Sequence, residues 1–480
     1  MSRQMDWILE KISFCFMAAC VVLIPLATGI ARANHYQQVF IIFSAFFSVA
    51  VLFYLILRQK LIFYLKRGKI YLLLTLYLFL LSTIKYLISL INHQGITFFT
   101  VYQFVVYSVF GYFAYVFISD GIKHRLPLFL CILSVYITFI IVVSKNRFML
   151  DQSVFRFLGP YSNPNILVIF SVLSCFCTLY LIEIKYGYFV IHIGMFSVGA
   201  ASTILSGSRT GLLALLVGCF VYFLCFYFAA RSAAGIERKK WKAALKYVFF
   251  TIIMILAFTW LFVPRSEQKE SAVVVGTGIS SSNNPSSAED NDASDNSKEA
   301  FLERYSFQTE GSSSLTNNLR YSIWKEYLKI AGNYFLYGTD YTISDRPIIN
   351  NSVRDTHNTF LYTFYRFGIL GLLLLIALTV SIFLKFIFKR KRNSGETAIF
   401  SLFCSFGIIS LATDLLNTPV YFFVLAVTYT VLQDSVTGKE YKPDGSNGIP
   451  RISQRTAQNF ASLFHLEQRR GGISYDGYLP

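Results

Sequence analysis

HNTFLYTFYRFGILGLLLLIALTVSIFL, residues His357 to Leu384, is the stretch on which the fold turns. A polar His-Asn pair stands directly ahead of an apolar run, and nine residues separate it from a Gly-x-x-Gly step at Gly368 and Gly371. As a helix the run is long enough to cross a hydrocarbon core, which takes about 20 apolar residues. His357 and Arg366 near one end of such a helix need a physical reason, because ionisable side chains beside hydrocarbon are costly unless they pair or face water.

The same kind of run recurs along the chain. Its 480 residues are 55% hydrophobic, 17% aromatic and only 14% charged, more apolar than a soluble domain of this length. Apolar stretches of spanning length predict about twelve membrane helices, at 12–30, 37–57, 70–91, 97–119, 127–143, 165–182, 187–206, 211–230, 247–264, 357–384, 397–415 and 418–433. The expected fold class is an all-α integral membrane protein with one large extracytoplasmic loop. The first span lacks a small-residue cleavage site and reads as a retained helix.

Basic residues orient the bundle. Arg58, Lys60, Lys66, Arg67 and Lys69 follow the second span, and Lys123 and Arg125 the fourth. Arg238, Lys239, Lys240, Lys242 and Lys246 follow the eighth, and Lys389, Arg390, Lys391 and Arg392 the tenth. All fall on one side of a twelve-span count, which the positive-inside rule makes cytoplasmic, with both termini. The net charge of +17 then reads as topogenic charge beside anionic lipid, and no nucleic-acid partner is expected.

The chain divides into spans one to nine (1–264), an extracytoplasmic loop (265–355), spans ten to twelve (356–433) and a polar cytoplasmic tail (434–480). Within the loop, 271–297 is rich in Ser, Asn and Asp and too poor in apolar residues to bury a core, so disorder is expected. Its DNDASDNS patch is not a calcium loop, since Asp295 replaces the sharp-turn glycine and Phe301 the bidentate glutamate. Residues 314–336 carry Ile323, Tyr327 and Ile330 at helical spacing and predict an amphipathic helix on the outer membrane surface or capping the bundle. All eight cysteines lie in predicted spans, as packing residues. No P-loop or Gly-x-Ser-x-Gly elbow is present, which removes support for nucleotide-driven and hydrolase chemistry.

Polar residues remain at the outer side. Arg209 sits in a short turn between two spans, in ILSGSRTGLLAL; Arg156 precedes the sixth span in RFLGPYSNPN. Arg320 opens the amphipathic helix, with Trp324 four residues on. His357 is expected to cap the tenth span, with Asn358 beside it and Arg366 about two turns inward. Several cations and one titratable imidazole at one membrane face suit an anionic substrate such as a lipid diphosphate. Lys85, alone inside the third span, leaves two readings: a mid-membrane charge of the kind a transporter uses, or a side chain that snorkels outward.

These residues resemble the O-antigen ligase and polymerase superfamily. The outer Ser-Arg-Thr-Gly turn, the loop's Arg-x-x-x-Trp, and His357-Asn358 followed after nine residues by Gly368-x-x-Gly371 occur in the family's order, over about residues 150 to 415. The resemblance implies a polytopic, GT-C-like glycosyltransferase of a bacterial cytoplasmic membrane, with its site on the extracytoplasmic face. It implies an undecaprenyl-diphosphate-linked oligosaccharide as donor, a glycan or lipid acceptor, membrane lipid as surroundings, and neither cofactor nor metal. His357 matches the histidine proposed to act on the acceptor hydroxyl, Arg320 and Arg209 the arginines proposed to bind the diphosphate, and Arg156 a further one. Asn358, Arg366 and Trp324 join them as candidate substrate-binding residues. Two departures stand out: Gly371 is followed by Leu-Leu rather than small hydroxyl residues, and Tyr337-Gly338-Thr339-Asp340 replaces a Gly-x-Gly turn. A polymerase of polysaccharide repeat units is the favoured reading, and a ligase passing a finished glycan to a lipid or protein is the second. A lipid-linked sugar transporter is the alternative of another class; it calls for broken helices with mid-membrane charges in pseudo-symmetric halves.

Overall fold

Eleven of the predicted spans coincide with helices in the computed structural model, and eight of these combine the length and apolarity needed to cross a membrane. The structure describes residues 2–28, 33–92, 98–120, 125–151, 154–161, 163–232, 252, 254–259, 312–339, 348–349, 352–353, 356–389 and 393–433. In chain order the helices before the loop are α1 (Ser2–Ala27), α2 (Ala33–Leu57), α3 (Leu61–Arg67), α4 (Lys69–Ile91), α5 (Phe98–Asp120), α6 (Leu126–Val143), α7 (Pro164–Glu183), α8 (Phe189–Leu205) and α9 (Arg209–Ser232). After it come α10 (Ser312–Asn333), α11 (Thr359–Ile387), α12 (Ser394–Ser410) and α13 (Pro419–Gln433). The predicted ninth span is described only at 252 and 254–259, which are helical. The 238–246 basic block, the 271–297 stretch and the tail lie outside the described residues.

Two short features were not legible as spans. Helix α3 lies in the basic connection after α2, and a hairpin of β1 (Phe148–Asp151) and β2 (Val154–Phe157) precedes α7, with Met149 opposite Arg156. A second, two-residue pair joins β3 (Ile348–Ile349) to β4 (Ser352–Val353).

Burial sorts the helices. In α5 and α7, 72% of the apolar window is buried, against 28% in α1 and α9, so the former are central and the latter peripheral. Peripheral side chains such as Phe46, Leu80 and Phe220 are more than half exposed. In water each would forfeit the roughly 25 cal/mol per Å² gained by burying apolar surface, so lipid is the medium that suits them. Inside, Phe40 and Phe47 of α2 both meet Phe110 of α5 edge-on or tilted, at centroid distances of 5.1 and 5.8 Å.

Close glycine contacts give the relative directions of the helices that carry the site. A Cβ on Gly211 would come within 2.2 Å of Val168, which sets the N-terminal ends of α7 and α9 side by side. Gly395 faces Tyr180 and Ile184, so α12 begins where α7 ends and its C-terminal end returns to the same face. At the opposite end, Lys60 Nζ donates to Asp120 at 2.6 Å, Arg125 lies 3.5 Å from Glu10, and Lys389 pairs with Glu396.

Helix α11 is not continuous. Gly368 has φ 68° and ψ −172°, which ends one helical segment at Phe367 and starts another. Backbone groups freed in a membrane-spanning helix must find partners, and three carbonyls and one amide at this break have them. The Tyr365 carbonyl accepts from Thr339 N (2.7 Å) and Oγ1 (3.1 Å), that of Arg366 from Lys85 Nζ (2.6 Å), and that of Phe367 from Tyr77 Oη (2.6 Å). Ile369 N donates to the Phe335 carbonyl at 2.8 Å. The segment after α10, residues 335–339, is thus stitched into the break.

The break gives the two glycines different roles and decides between the readings of Lys85. Gly368 serves this insertion rather than helix packing: a Cβ there would lie 2.1 Å from the Leu336 oxygen, and one on Gly338 (φ 70°) 2.4 Å from the Arg366 carbonyl. Gly371 does serve packing: a Cβ there would lie 3.2 Å from the Tyr77 ring. Lys85 does not snorkel; it is 6% exposed, and its ammonium is held by the Arg366 and Thr339 carbonyls.

Alanine at Gly368 would combine a left-handed backbone, costing roughly 1–3 kcal/mol, with that 2.1 Å overlap. Gly368→Ala is expected to lower the midpoint of thermal unfolding in detergent by several degrees, whereas Gly332→Ala, on a helix with open space at its Cβ, should not lower it. Equal midpoints would show that the break is not required.

Candidate active site

Arg156, Arg209, His357 and Asn358 stand at or beside element ends, whereas Arg320 is the ninth residue of α10 rather than its opening residue, because the Ser- and Asn-rich turns before it are helical too, and Trp324 and Arg366 lie within helices. Gly207 (φ 63°) turns the chain between α8 and α9, and Ser208 Oγ accepts from Gly211 N at 3.3 Å, capping α9. Arg209 is therefore the first residue of α9, and it is exposed. Arg156, on β2, is only 8% exposed and donates from Nε to the Ser206 carbonyl at 2.9 Å. That bond braces the turn presenting Arg209.

Helix α10 brings Arg320. It covers Ser312–Asn333, within two or three residues of the predicted amphipathic helix, and packs against α11. Its buried residues Ile323, Tyr327 and Ala331 recur every four residues, and the Tyr327 ring meets Tyr365 edge-on at 4.7 Å. Trp324 Nε1 donates to the Thr356 carbonyl at 2.9 Å, immediately before His357. Arg320, exposed, lies one helical turn from that contact, about 6 Å along the axis.

His357 itself is not the helix cap. Asn358 is: its side chain accepts from Leu361 N at 3.0 Å, and α11 begins at Thr359. Asparagine presents a short side-chain oxygen to the open backbone N–H groups, which an imidazole one residue earlier does not. His357 instead has φ 49° and an exposed side chain. A left-handed non-glycine residue stores strain and often marks a functional position.

A loop that sequence reasoning passed over holds this corner. Asn358 Nδ2 donates to the Leu411 carbonyl (3.2 Å), Thr359 Oγ1 to the Thr413 carbonyl (2.8 Å), and Leu415 N to Thr359 Oγ1 (2.9 Å). Asp414 accepts from Leu416 N at 3.1 Å and from the Asn417 amide, ordering the loop ahead of α13. The signal was present as Asp414-Leu-Leu-Asn417-Thr418-Pro419, polar turn residues ending on a proline at the first helical position.

Arg209, Arg320, His357 and Asn358 thus stand at one end of the bundle, with Arg156 and Trp324 supporting them from below. Arg366 does not join them. It is 3% exposed, with its guanidinium 5.2 Å from the Tyr365 ring and 5.7 Å from that of Tyr362. Exposed guanidiniums stay charged at any working pH and can bind anions in two-pronged fashion; an imidazole can take or give a proton near neutrality.

Residues 194–376 match the family model described as O-antigen ligase. The matched segment holds Arg209, Arg320, Trp324, His357, Asn358, Arg366 and the Gly368 break, and it bears out the resemblance to the O-antigen ligase and polymerase superfamily. No curated protein and no solved structure matches the chain.

The cap assignment separates two variants. Asn358→Ala should destabilise the protein, since losing such a cap costs roughly 0.5–2 kcal/mol and the Leu411 bond goes with it. His357→Ala, which relieves no capped group, should unfold within a degree or two of wild type. Thermal unfolding of both checks this, and the reverse order would make His357 a structural residue.

Proposed function

We propose that this integral membrane protein is a glycosyltransferase that moves glycan from an undecaprenyl-diphosphate-linked donor to an acceptor sugar hydroxyl, polymerising polysaccharide repeat units. The observation that supports the reading is that exposed Arg209, Arg320 and His357 all lie at one end of an apolar bundle, within or beside elements that brace them. A lipid diphosphate would reach that end from the bilayer and a glycan from water.

The chemistry follows from the groups. As the glycosyl–oxygen bond to diphosphate breaks, negative charge grows on the leaving oxygen, and Arg209 and Arg320 stabilise it with permanent positive charge. The attacking hydroxyl loses its proton as the new bond forms, and His357, with a reference imidazole pKa of about 6.5, accepts it. In polymerisation the growing chain is transferred onto the next lipid-linked repeat unit, releasing one lipid diphosphate. Asn358 fixes the histidine's backbone and Trp324 ties the Arg320 helix to it. No metal is assigned a role.

A ligase is the second reading, favoured by the description of the matched family. A transporter would use a broken helix too, and α11 with Lys85 is one. The carbonyls freed at that break, however, are taken by Thr339, Lys85 and Tyr77 rather than left for an ion or substrate.

The glycan profile of cells lacking the protein tests the assignment. Single repeat units left on lipid are expected; long chains stranded on the carrier would make it a ligase, and an unchanged profile would reject both. In complemented cells Arg209→Lys should cut product at least roughly tenfold, because lysine keeps the charge but loses the planar fork.

A further inference from the structure

We propose that Lys85 is a positioning residue for this transfer: by holding the Arg366 and Thr339 carbonyls it fixes where the first segment of α11 stands, and with it His357 and the Arg320 helix. The inference rests on the glycosyltransferase reading above for its activity readout alone.

Lys85 lies six residues before the end of α4, at the site's end of the bundle. Its Nζ reaches Thr339 O at 2.7 Å and Arg366 O at 2.6 Å, joining two stretches that are far apart in sequence. The base it stands on is itself fixed, because α4 is bonded to α5 through Thr75–Ser108 (2.8 Å) and Tyr102–Thr83 (3.2 Å).

Satisfying a carbonyl does not require a charge. The neighbouring carbonyls, Tyr365 and Phe367, are satisfied by a threonine and a tyrosine. A buried ammonium is costly in hydrocarbon, and at these two carbonyls it adds strength and placement. Charge-assisted bonds are roughly twice as strong as neutral ones. The ammonium also sits at the C-terminal end of a helical segment, where the backbone dipole is negative.

The segment transmits that placement. From Thr359 to Phe367 it rises only about 13 Å, held below by Lys85 and above by Asn358 and Thr359 on the 411–415 loop. Its side is packed on α10 through Tyr365 and Tyr327. His357 is two residues above the segment, and Trp324 ties the chain at Thr356 to the helix of Arg320. A shift at the break therefore moves the proposed proton acceptor and one diphosphate ligand together, and misplacement by about 1 Å is enough to slow transfer strongly.

The test pairs activity with a distance. In protein whose native cysteines are replaced, spin labels are placed at Tyr321→Cys and Leu411→Cys, both exposed, and Lys85 is changed to Met or Gln. Lys85→Met, isosteric in length but without a donor, should lower kcat roughly tenfold or more with the KM for a lipid-diphosphate-linked donor within about twofold. The label distance should shift or broaden in the same protein. Lys85→Gln retains N–H donors on a shorter chain; in it kcat and distance are expected to stay or to fall together, and it decides alone if Lys85→Met does not accumulate. Wild-type kcat in Lys85→Met, or lost kcat with wild-type distances in either variant, would overturn the proposal. A wild-type protein that transfers nothing would instead reject the glycosyltransferase reading, while the label distances would still report whether Lys85 sets the geometry.

Discussion

A break in a membrane-spanning helix exposes carbonyl and amide groups that lipid cannot satisfy, and the contacts around Gly368 are arranged to meet that demand. The solution draws on three distant parts of the chain. The turn after α10 inserts backbone and the Thr339 hydroxyl, and α4 contributes Tyr77 and Lys85. Because the inserted turn continues directly from α10, the break also fixes how the helix carrying Arg320 meets the helix preceded by His357. A requirement of backbone chemistry thereby becomes a rule for the geometry of the site.

The upper end follows the same logic with weaker bonds. Asn358 caps α11 and reaches the Leu411 carbonyl, Thr359 exchanges bonds with the 413–415 backbone, and Trp324 holds Thr356. His357 lies between these fixed points with a strained backbone and an exposed ring. Rigid surroundings and a solvent-facing titratable group are what proton transfer to or from a bound hydroxyl needs. The arginines divide by environment in the same way: Arg209 and Arg320 are exposed, whereas Arg156 and Arg366 are buried in supporting contacts.

Most of the architecture could be read in the sequence because long apolar runs have one physical use, and eleven predicted spans coincide with helices. The amphipathic helix was legible from Ile323 and Tyr327, whose spacing marks its buried face. What the sequence hid were contacts between distant segments. Nothing local distinguishes Gly368 as a break from Gly371 as a packing glycine, since only the approach of Leu336 separates them. Lys85 could be read only as a transporter-like charge or a snorkelling residue because its carbonyl partners lie some 250 and 280 positions away. His357 and Asn358 were recognised as a pair, but which of them caps the helix depended on backbone angles that residue type alone does not give.

The proposed function requires His357 and the exposed arginines to form one transfer site that works without a metal ion. The most direct measurement is turnover by purified protein on a lipid-diphosphate-linked donor with chelator present, wild type beside His357→Ala. Full wild-type activity is expected, with a loss of roughly a hundredfold or more in a variant that remains folded, the scale of a missing general base. Near wild-type turnover in His357→Ala, or loss of wild-type activity on chelation, would contradict it.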